Sequence, residues 1–156
     1  MPRLPLCLAV LALALPAHAV EWTLLPHPAT SGVAVYADPA TERPRHGPIV
    51  GLFVPNPVQA WYLTDYAVPH RWMVHDVLSA KQWVEFDCKR ASMRVLRRLY
   101  YREPMAQGRV VASEPEMRAF TPVIPGDPEE TVYQAACARQ QAQEQQAQAA
   151  HPAPTD

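Results

Sequence analysis

The chain has 156 residues, a formal net charge of -1 and 18 prolines. This length allows one domain with a modest core. The prolines interrupt the sequence too often for a mainly helical fold, and the balanced charge argues against a nucleic-acid-binding domain, which is usually basic overall.

Residues 1–19 have the three parts of an export signal. Arg3 supplies a short basic region, an apolar run extends from Leu4 to Leu15, and Ala17 and Ala19 mark a cleavage site after residue 19. The run is too short to span a bilayer, which takes roughly 20 apolar residues. Cys7 precedes most of the run, whereas a lipidated cysteine follows it. We therefore expect an exported protein, periplasmic, secreted or on the cell surface, without a lipid on Cys7.

Five short segments carry the signs of β-strands. They alternate in hydrophobicity or are rich in β-branched and aromatic residues, and proline or glycine turns separate several of them. We expect the third to stop at Pro69. The segments are Gly32–Asp38, Gly47–Val54, Ala60–Val68, Gln82–Cys88 and Arg109–Ser113.

One segment near the C-terminus predicts a helix. Asp127 fits the N-cap, Pro128 the first helical position and Glu130 the third, an arrangement typical of a capping box. An apolar side follows up to Cys137. The tail from 138 to 156 is rich in Gln, Ala and Pro and lacks an apolar stripe, so we expect a frayed helix end followed by disorder.

The stretch CKRASMRVLRRLYYREP, Cys88–Pro104, carries most of the local positive charge. Seven basic residues and one acidic residue lie between Lys89 and Arg109. At 100° per residue the stretch separates into apolar and charged sides, as an amphipathic helix does. It also separates with period 2, apart from Leu96 and Arg97, so periodicity leaves helix and strand both open.

Two cysteines, Cys88 and Cys137, remain after residues 1–19 are removed. Two cysteines in an oxidising compartment most simply pair with each other. They have neither C-x-x-C spacing nor a neighbouring pair of histidines, so a metal site is not indicated. We predict a disulfide between them.

Signals of catalysis are weak. His70, His75 and Asp76 are candidates for a metal cluster, but a spacing of five places the two histidines on one face of neither a helix nor a strand, which favours a surface loop. Ser79 and Ser113 lack the context of a nucleophile. We expect no enzyme activity, cofactor or metal. The tryptophans are interpreted as core or edge residues: Trp22, Trp61, Trp72 and Trp83.

Several motifs follow the order found in the surface-adhesin protein E family. They are WTLL, VAVYAD, WVEFDC, the basic stretch ending in YY, GRVVASE and FTPVIPGDPEETVYQAAC. The chain resembles this family over most of Trp22–Cys137. The resemblance implies an α+β fold, with an antiparallel sheet of about five to six strands, a C-terminal helix packed on it and a Cys88–Cys137 bridge. It favours a strand for the basic stretch and one domain from residue 20 to residue 137.

A basic face on that strand is the candidate ligand surface. A row of guanidinium groups with an aromatic ring suits acidic or sulfated partners. The alternative is an ordinary solvated face whose arginines pair with acids of neighbouring strands, for instance Glu85 or Glu114. The candidate ligand-binding residues are Arg90, Arg94, Arg98, Tyr100 and Arg102.

The export signal, the basic face and the resemblance together indicate an exported, non-enzymatic binding module for acidic or sulfated components of the host extracellular matrix. The alternative is a periplasmic structural or accessory protein that binds another envelope protein. Neither hypothesis requires a membrane span or a nucleic-acid partner, and both leave the oligomeric state open.

Overall fold

A computed structural model describes residues 21–28, 31–44, 57–115 and 119–150. One antiparallel sheet of eight strands and one C-terminal helix form the described fold, which confirms the predicted α+β class. Six strands follow the order β1-β2-β4-β5-β6-β7, while β3 pairs with β4 and β8 pairs with β6. The elements are β1 Thr23–Leu25, β2 Val33–Ala37, β3 Arg43–Pro44, β4 Val58–Trp72, β5 His75–Asp87, β6 Ser92–Tyr101, β7 Val110–Glu114, β8 Thr121–Pro122 and α1 Pro128–Ala150.

A long hairpin of β4 and β5 forms the centre of the sheet. Both strands are longer than the segments predicted from the sequence. β4 does not stop at Pro69 but continues to Trp72, and β5 begins at His75 and not at Gln82. Proline is tolerated there because the register between the strands shifts between Asp65 and His70, and an irregular stretch needs no ladder hydrogen bond from residue 69. The predicted surface loop around His70 and His75 is therefore wrong: both residues lie in strands at the end of this hairpin.

The basic stretch is a strand for most of its length. β6 pairs with β5 on one side and with β7 and β8 on the other. The register shows one irregularity: Val84 is opposite Val95, but Trp83 is opposite Arg97, so Leu96 is an extra residue on β6. An extra residue of this kind is a β-bulge. Beyond it, the odd-numbered and even-numbered residues of β6 exchange faces of the sheet.

The sheet has two faces. The one that packs on α1, here called the helix face, carries the main core. Side chains alternate along each strand, so the intervening ones lie on the opposite, outer face. Strand residues of the core include Val35, Ala37, Val58, Ala60, Val84, Phe86 and Val95, and α1 contributes Val132, Ala136 and Cys137.

Helix α1 is held on the sheet by covalent and polar contacts. The predicted disulfide between Cys88 and Cys137 is present, with a Cα–Cα distance of 5.7 Å. The Tyr133 hydroxyl donates to the Cys88 carbonyl at 3.1 Å, and Nε of Arg139 donates to the Glu42 carboxylate at 2.6 Å. The end of β5 and the connection between β2 and β3 are both fastened to α1 in this way.

The helix begins at Pro128 as predicted but does not fray after Cys137. It continues to Ala150, because Ala and Gln are good helix formers and no breaker interrupts them. Residues 141–150 are all exposed, which agrees with the missing apolar stripe.

Three sequence predictions lie outside the described residues: the export signal 1–19, the strand proposed for Gly47–Val54, and the end of the tail after residue 150. Within the described part of the chain, no helix has the length and apolarity needed to cross a membrane.

Candidate ligand-binding surfaces

The structure does not bring the five predicted ligand-binding residues together on one face. Arg90 lies in the turn before β6 and Arg102 lies just after its end, and both are exposed. Arg94 faces Glu85 on the outer face. Because of the bulge at Leu96, the side chains of Arg98 and Tyr100 lie on the helix face instead. The expected arginine row is thus divided by one extra residue.

Arg94 is a buried structural residue. Its side chain is 6% exposed and that of Glu85 is 0% exposed, and both Nε and Nη2 of Arg94 lie 2.6 Å from Glu85 Oε2. Gln59 donates to the other carboxylate oxygen at 3.0 Å, and the ring of Phe120 lies 5.2 Å from the guanidinium carbon. The guanidinium is therefore largely shielded from a ligand.

Arg98 is surrounded by acceptors on the helix face. Nε donates to the amide oxygen of Gln82, Nη1 donates to Glu114 at 2.9 Å, and Nη2 lies 3.6 Å from Glu129 at the start of α1. Arg94 and Arg98 thus pair with Glu85 and Glu114, the two acids named in the alternative, although the Arg94–Glu85 pair is buried and not solvated.

A cleft opens beside Arg98, between the sheet and the first turn of α1. We call it the helix cleft; its volume is about 280 Å³. Two stacked aromatic pairs form one wall: Trp72 on Tyr100, with ring centroids 4.7 Å apart, and His70 on Tyr66, at 5.1 Å. The cleft is lined by Thr64, Tyr66, His70, Trp72, Gln82, Arg98, Tyr100, Asp127, Pro128 and Glu129.

The tyrosines in and below this cleft are held in the protonated form. Burial raises the pKa of Tyr100 to about 12. Burial also raises the pKa of Tyr62 well above its ordinary value, and the neighbouring Glu129 raises it further. The Tyr62 hydroxyl donates to Glu129 at 2.8 Å, which fixes that carboxylate at the edge of the cleft. The cleft thus combines aromatic surfaces with one fixed carboxylate, that of Glu129.

A second candidate surface lies on the outer face. Trp61 on β4 is directly opposite Trp83 on β5, and the two rings stack with centroids 5.8 Å apart and planes at 15°. Both side chains are only half-buried, and they line an open groove of about 290 Å³ together with Thr41, Arg43 and Gln59. We call this groove the tryptophan platform. It gives the outer face an aromatic surface on which a flat ligand can pack.

Three cations border the tryptophan platform. Nζ of Lys81 lies 4.7 Å from the centre of the Trp61 ring, a cation–π distance. Arg97 is the cross-strand neighbour of Trp83, so their Cβ atoms are about 5 Å apart, and Arg43 lines the groove itself. None of the three forms an ion pair within the described part of the chain. The platform is therefore a locally positive surface.

Comparison with known proteins shows what the fold is. The family model of surface-adhesin protein E matches residues 22–138. The chain belongs to the surface-adhesin protein E family. Two crystal structures of Haemophilus influenzae protein E share its fold at 15% sequence identity: crystal form II, with a TM-score of 0.54 over 81% of this chain and 95% of that chain, and the selenomethionine form, with a TM-score of 0.53 over 80% and 93%. A search of curated proteins finds no significant match.

The surface-adhesin protein E match includes both candidate surfaces. Sequence reasoning assigned Arg98 and Tyr100 to a ligand surface, but it missed the tryptophan platform. It treated Arg97 as an interruption of an apolar face, because a bulge cannot be seen in a period-2 count. A usable signal was present. Trp61 alternates with apolar residues along β4, and Trp83 does so along β5. This alternation places both rings on the face opposite the core.

The proposed metal cluster does not assemble in this member of the surface-adhesin protein E family. Asp76 pairs with Arg71 at 3.1 Å, while His70 stacks on Tyr66. No group of three or more His, Cys, Asp and Glu side chains that could hold a metal ion occurs in the described ranges. His70 instead contributes a ring to the helix cleft.

Proposed function

We propose that this chain is an exported, non-enzymatic binding module that attaches to acidic or sulfated components of the host extracellular matrix. The observation that carries the proposal is the tryptophan platform with its three bordering cations. The family supports a surface-exposed bacterial adhesin. The basic sheet face predicted from the arginine spacing is replaced in this proposal by Arg43, Lys81 and Arg97.

The chemistry of the platform suits a chain of acidic sugars. Guanidinium groups present several donors in a fixed plane, which matches the oxygens of carboxylate and, by the same geometry, of sulfate groups. The half-exposed indoles of Trp61 and Trp83 supply an apolar surface for a sugar ring between the charged groups. A polyanion that contacts several cations also binds in a salt-dependent manner, since its attraction is screened by ions.

A matched pair of double variants tests the platform. Arg43→Glu with Arg97→Glu reverses two charges beside the tryptophans, whereas Arg90→Glu with Arg102→Glu reverses two exposed charges at the ends of β6. Both pairs change the net charge equally. On a heparin column we expect the first pair to elute at clearly lower salt than the second, because only the first removes contacts beside the platform.

Two outcomes oppose the proposal. An equal loss for both pairs would show an effect of net charge alone, and wild-type protein that flows through the column at low salt would remove the polyanion as a ligand. Thermal unfolding of each variant checks that the fold is retained, as expected for exposed side chains.

The place of the protein in the cell is tested separately. Intact and permeabilised cells are treated with protease, and the domain is detected with an antibody. Cleavage on intact cells, or protein in the medium, supports adhesion. Protection until the outer barrier is opened would favour the alternative, a periplasmic accessory protein that binds another envelope protein.

A further inference from the structure

The charges around the helix cleft sum to a negative value. Its one arginine, Arg98, already faces three acceptors. Against this cation stand the carboxylates of Glu114 and Glu129, and also Asp127, which is exposed and has no ion-pair partner among the described residues. An anionic ligand would have to displace one of the acceptors of Arg98, whereas a cation would meet carboxylates that are only partly compensated.

The partial positive charge at the start of a helix does not reverse this balance. The first turn of α1 carries two glutamates, Glu129 and Glu130. Glu130 accepts from the backbone N–H of Gly126 at 2.7 Å, in the turn just before the helix. Asp127 is then an additional negative charge at the mouth of the cleft.

The aromatic wall has the geometry of a cation-binding surface. In each stack the inner ring is more buried than the outer one: Tyr100 is buried beneath Trp72, and Tyr66 lies beneath the exposed His70. The outer indole of Trp72 is therefore available on the cleft side, and tryptophan is the ring that binds cations best.

An apolar groove continues from the cleft along β6. Its volume is about 230 Å³, and it shares Arg98, Asp127 and Glu129 with the helix cleft. Its other lining residues are mostly apolar, and Ile124 among them is 60% exposed. A ligand that fills both spaces presents a positive group next to an apolar one.

We propose that the helix cleft binds an arginine or lysine side chain of a protein partner, with a neighbouring apolar side chain of the same partner in the groove beside Ile124. The charged group packs on Trp72 and faces the carboxylates of Asp127 and Glu129. This ligand has the opposite charge to the polyanion proposed for the outer face, so this site is a separate one.

The charged half of the proposal is tested with two small probes of equal shape. N-acetyl-arginine amide carries the guanidinium, and N-acetyl-citrulline amide replaces it with a neutral urea. The indole N–H signal of Trp72 is followed by NMR in the full chain and assigned with Trp72→Phe. We expect a saturable shift with the arginine probe and no comparable shift with the citrulline probe.

Asp127→Asn is the matched variant. Asn is as good an N-cap residue as Asp, so the start of α1 is retained while the charge is lost. We expect the arginine probe to bind up to about fivefold more weakly, the upper end of the range for an exposed charge pair. Arg43→Glu with Arg97→Glu should leave this binding unchanged, which separates the cleft from the tryptophan platform.

Three results would overturn the inference. They are equal shifts with both probes, no shift at Trp72 with either probe, and a larger shift with N-acetyl-glutamate amide than with the arginine probe. None of these results depends on heparin binding, so the cleft and the proposed adhesive function can fail separately.

Discussion

Side chains of the same type have different roles along β6. Arg94 is buried against Glu85, Arg97 is exposed beside Trp83, and Arg98 faces three acceptors below the helix cleft. A charge alone therefore does not identify a ligand-binding residue here. The burial and partners of each arginine decide whether its substitution will affect stability or binding.

The buried pair gives a prediction for stability. Arg94→Met removes a cation that lies 2.6 Å from the buried Glu85 carboxylate, so we expect a loss of about 3–5 kcal/mol in the free energy of unfolding. Arg97→Met is the control three positions along the same strand, and its exposed side chain predicts a change within about 0.5 kcal/mol. Urea unfolding of the two variants measures both values.

A double variant distinguishes loss of the Arg94–Glu85 ion pair from simple loss of side-chain packing. Glu85→Gln in the Arg94→Met background removes the buried negative charge and should restore part of the stability. If the double variant is no more stable than Arg94→Met alone, the pair is not the reason for the loss.

At the scale of elements, the disulfide joins the end of the central strand β5 to the middle of α1. The bridge closes a loop with a sequence separation of 49 residues, and that loop includes all of β6, β7 and β8. The chain-entropy model assigns to a loop of this length about 4 kcal/mol of stabilisation. The bridge also holds the first turns of α1 against the sheet, where they form one side of the helix cleft.

Replacement of both cysteines should therefore lower the stability of the fold, while the tryptophan platform stays unchanged. We expect Cys88→Ser with Cys137→Ser to lower the free energy of unfolding by about 4 kcal/mol, measured by urea unfolding against the oxidised wild type. Elution from heparin at low temperature, where the variant is still folded, should stay the same, since the tryptophan platform lies on the opposite face. A variant of unchanged stability would contradict the prediction.

Much of the element order was predictable, because hydrophobic alternation and capping are local properties. The helix start at Pro128, the strands β2 and β7 and the second half of β5 follow from such signals. The continuation of β4 through Pro69 and the division of β6 at Leu96 did not follow from them. Both depend on register irregularities between strands, and register is set by tertiary pairing that a single segment does not record. The candidate site was predicted only in part for the same reason.

At the scale of the whole molecule, the two candidate surfaces lie on opposite faces of one sheet. The outer face is positive around Trp61 and Trp83, and the helix cleft is negative around Asp127 and Glu129. A thin sheet therefore separates two candidate ligand surfaces of opposite charge, and both could be occupied in one molecule.

Simultaneous binding is the corresponding prediction. A short heparin oligosaccharide is added in stoichiometric amount, and N-acetyl-arginine amide is then titrated while the Trp72 indole signal is observed. We expect the dissociation constant of the arginine probe to change by less than about twofold, as for sites that share no contacts. Competition between the two ligands would show that they use one surface.

Leu96 has a genetic consequence. Alternation along a strand is a parity rule, and the bulge takes up the one residue that the rule does not accommodate, so that Arg97 lies opposite Trp83 and Arg98 opposite Gln82. Loss of the single Leu96 codon would therefore remove the bulge and keep these pairs. Homologues one residue shorter at this position are expected to keep the two arginines on the same two faces, and to differ only in the local kink of the strand.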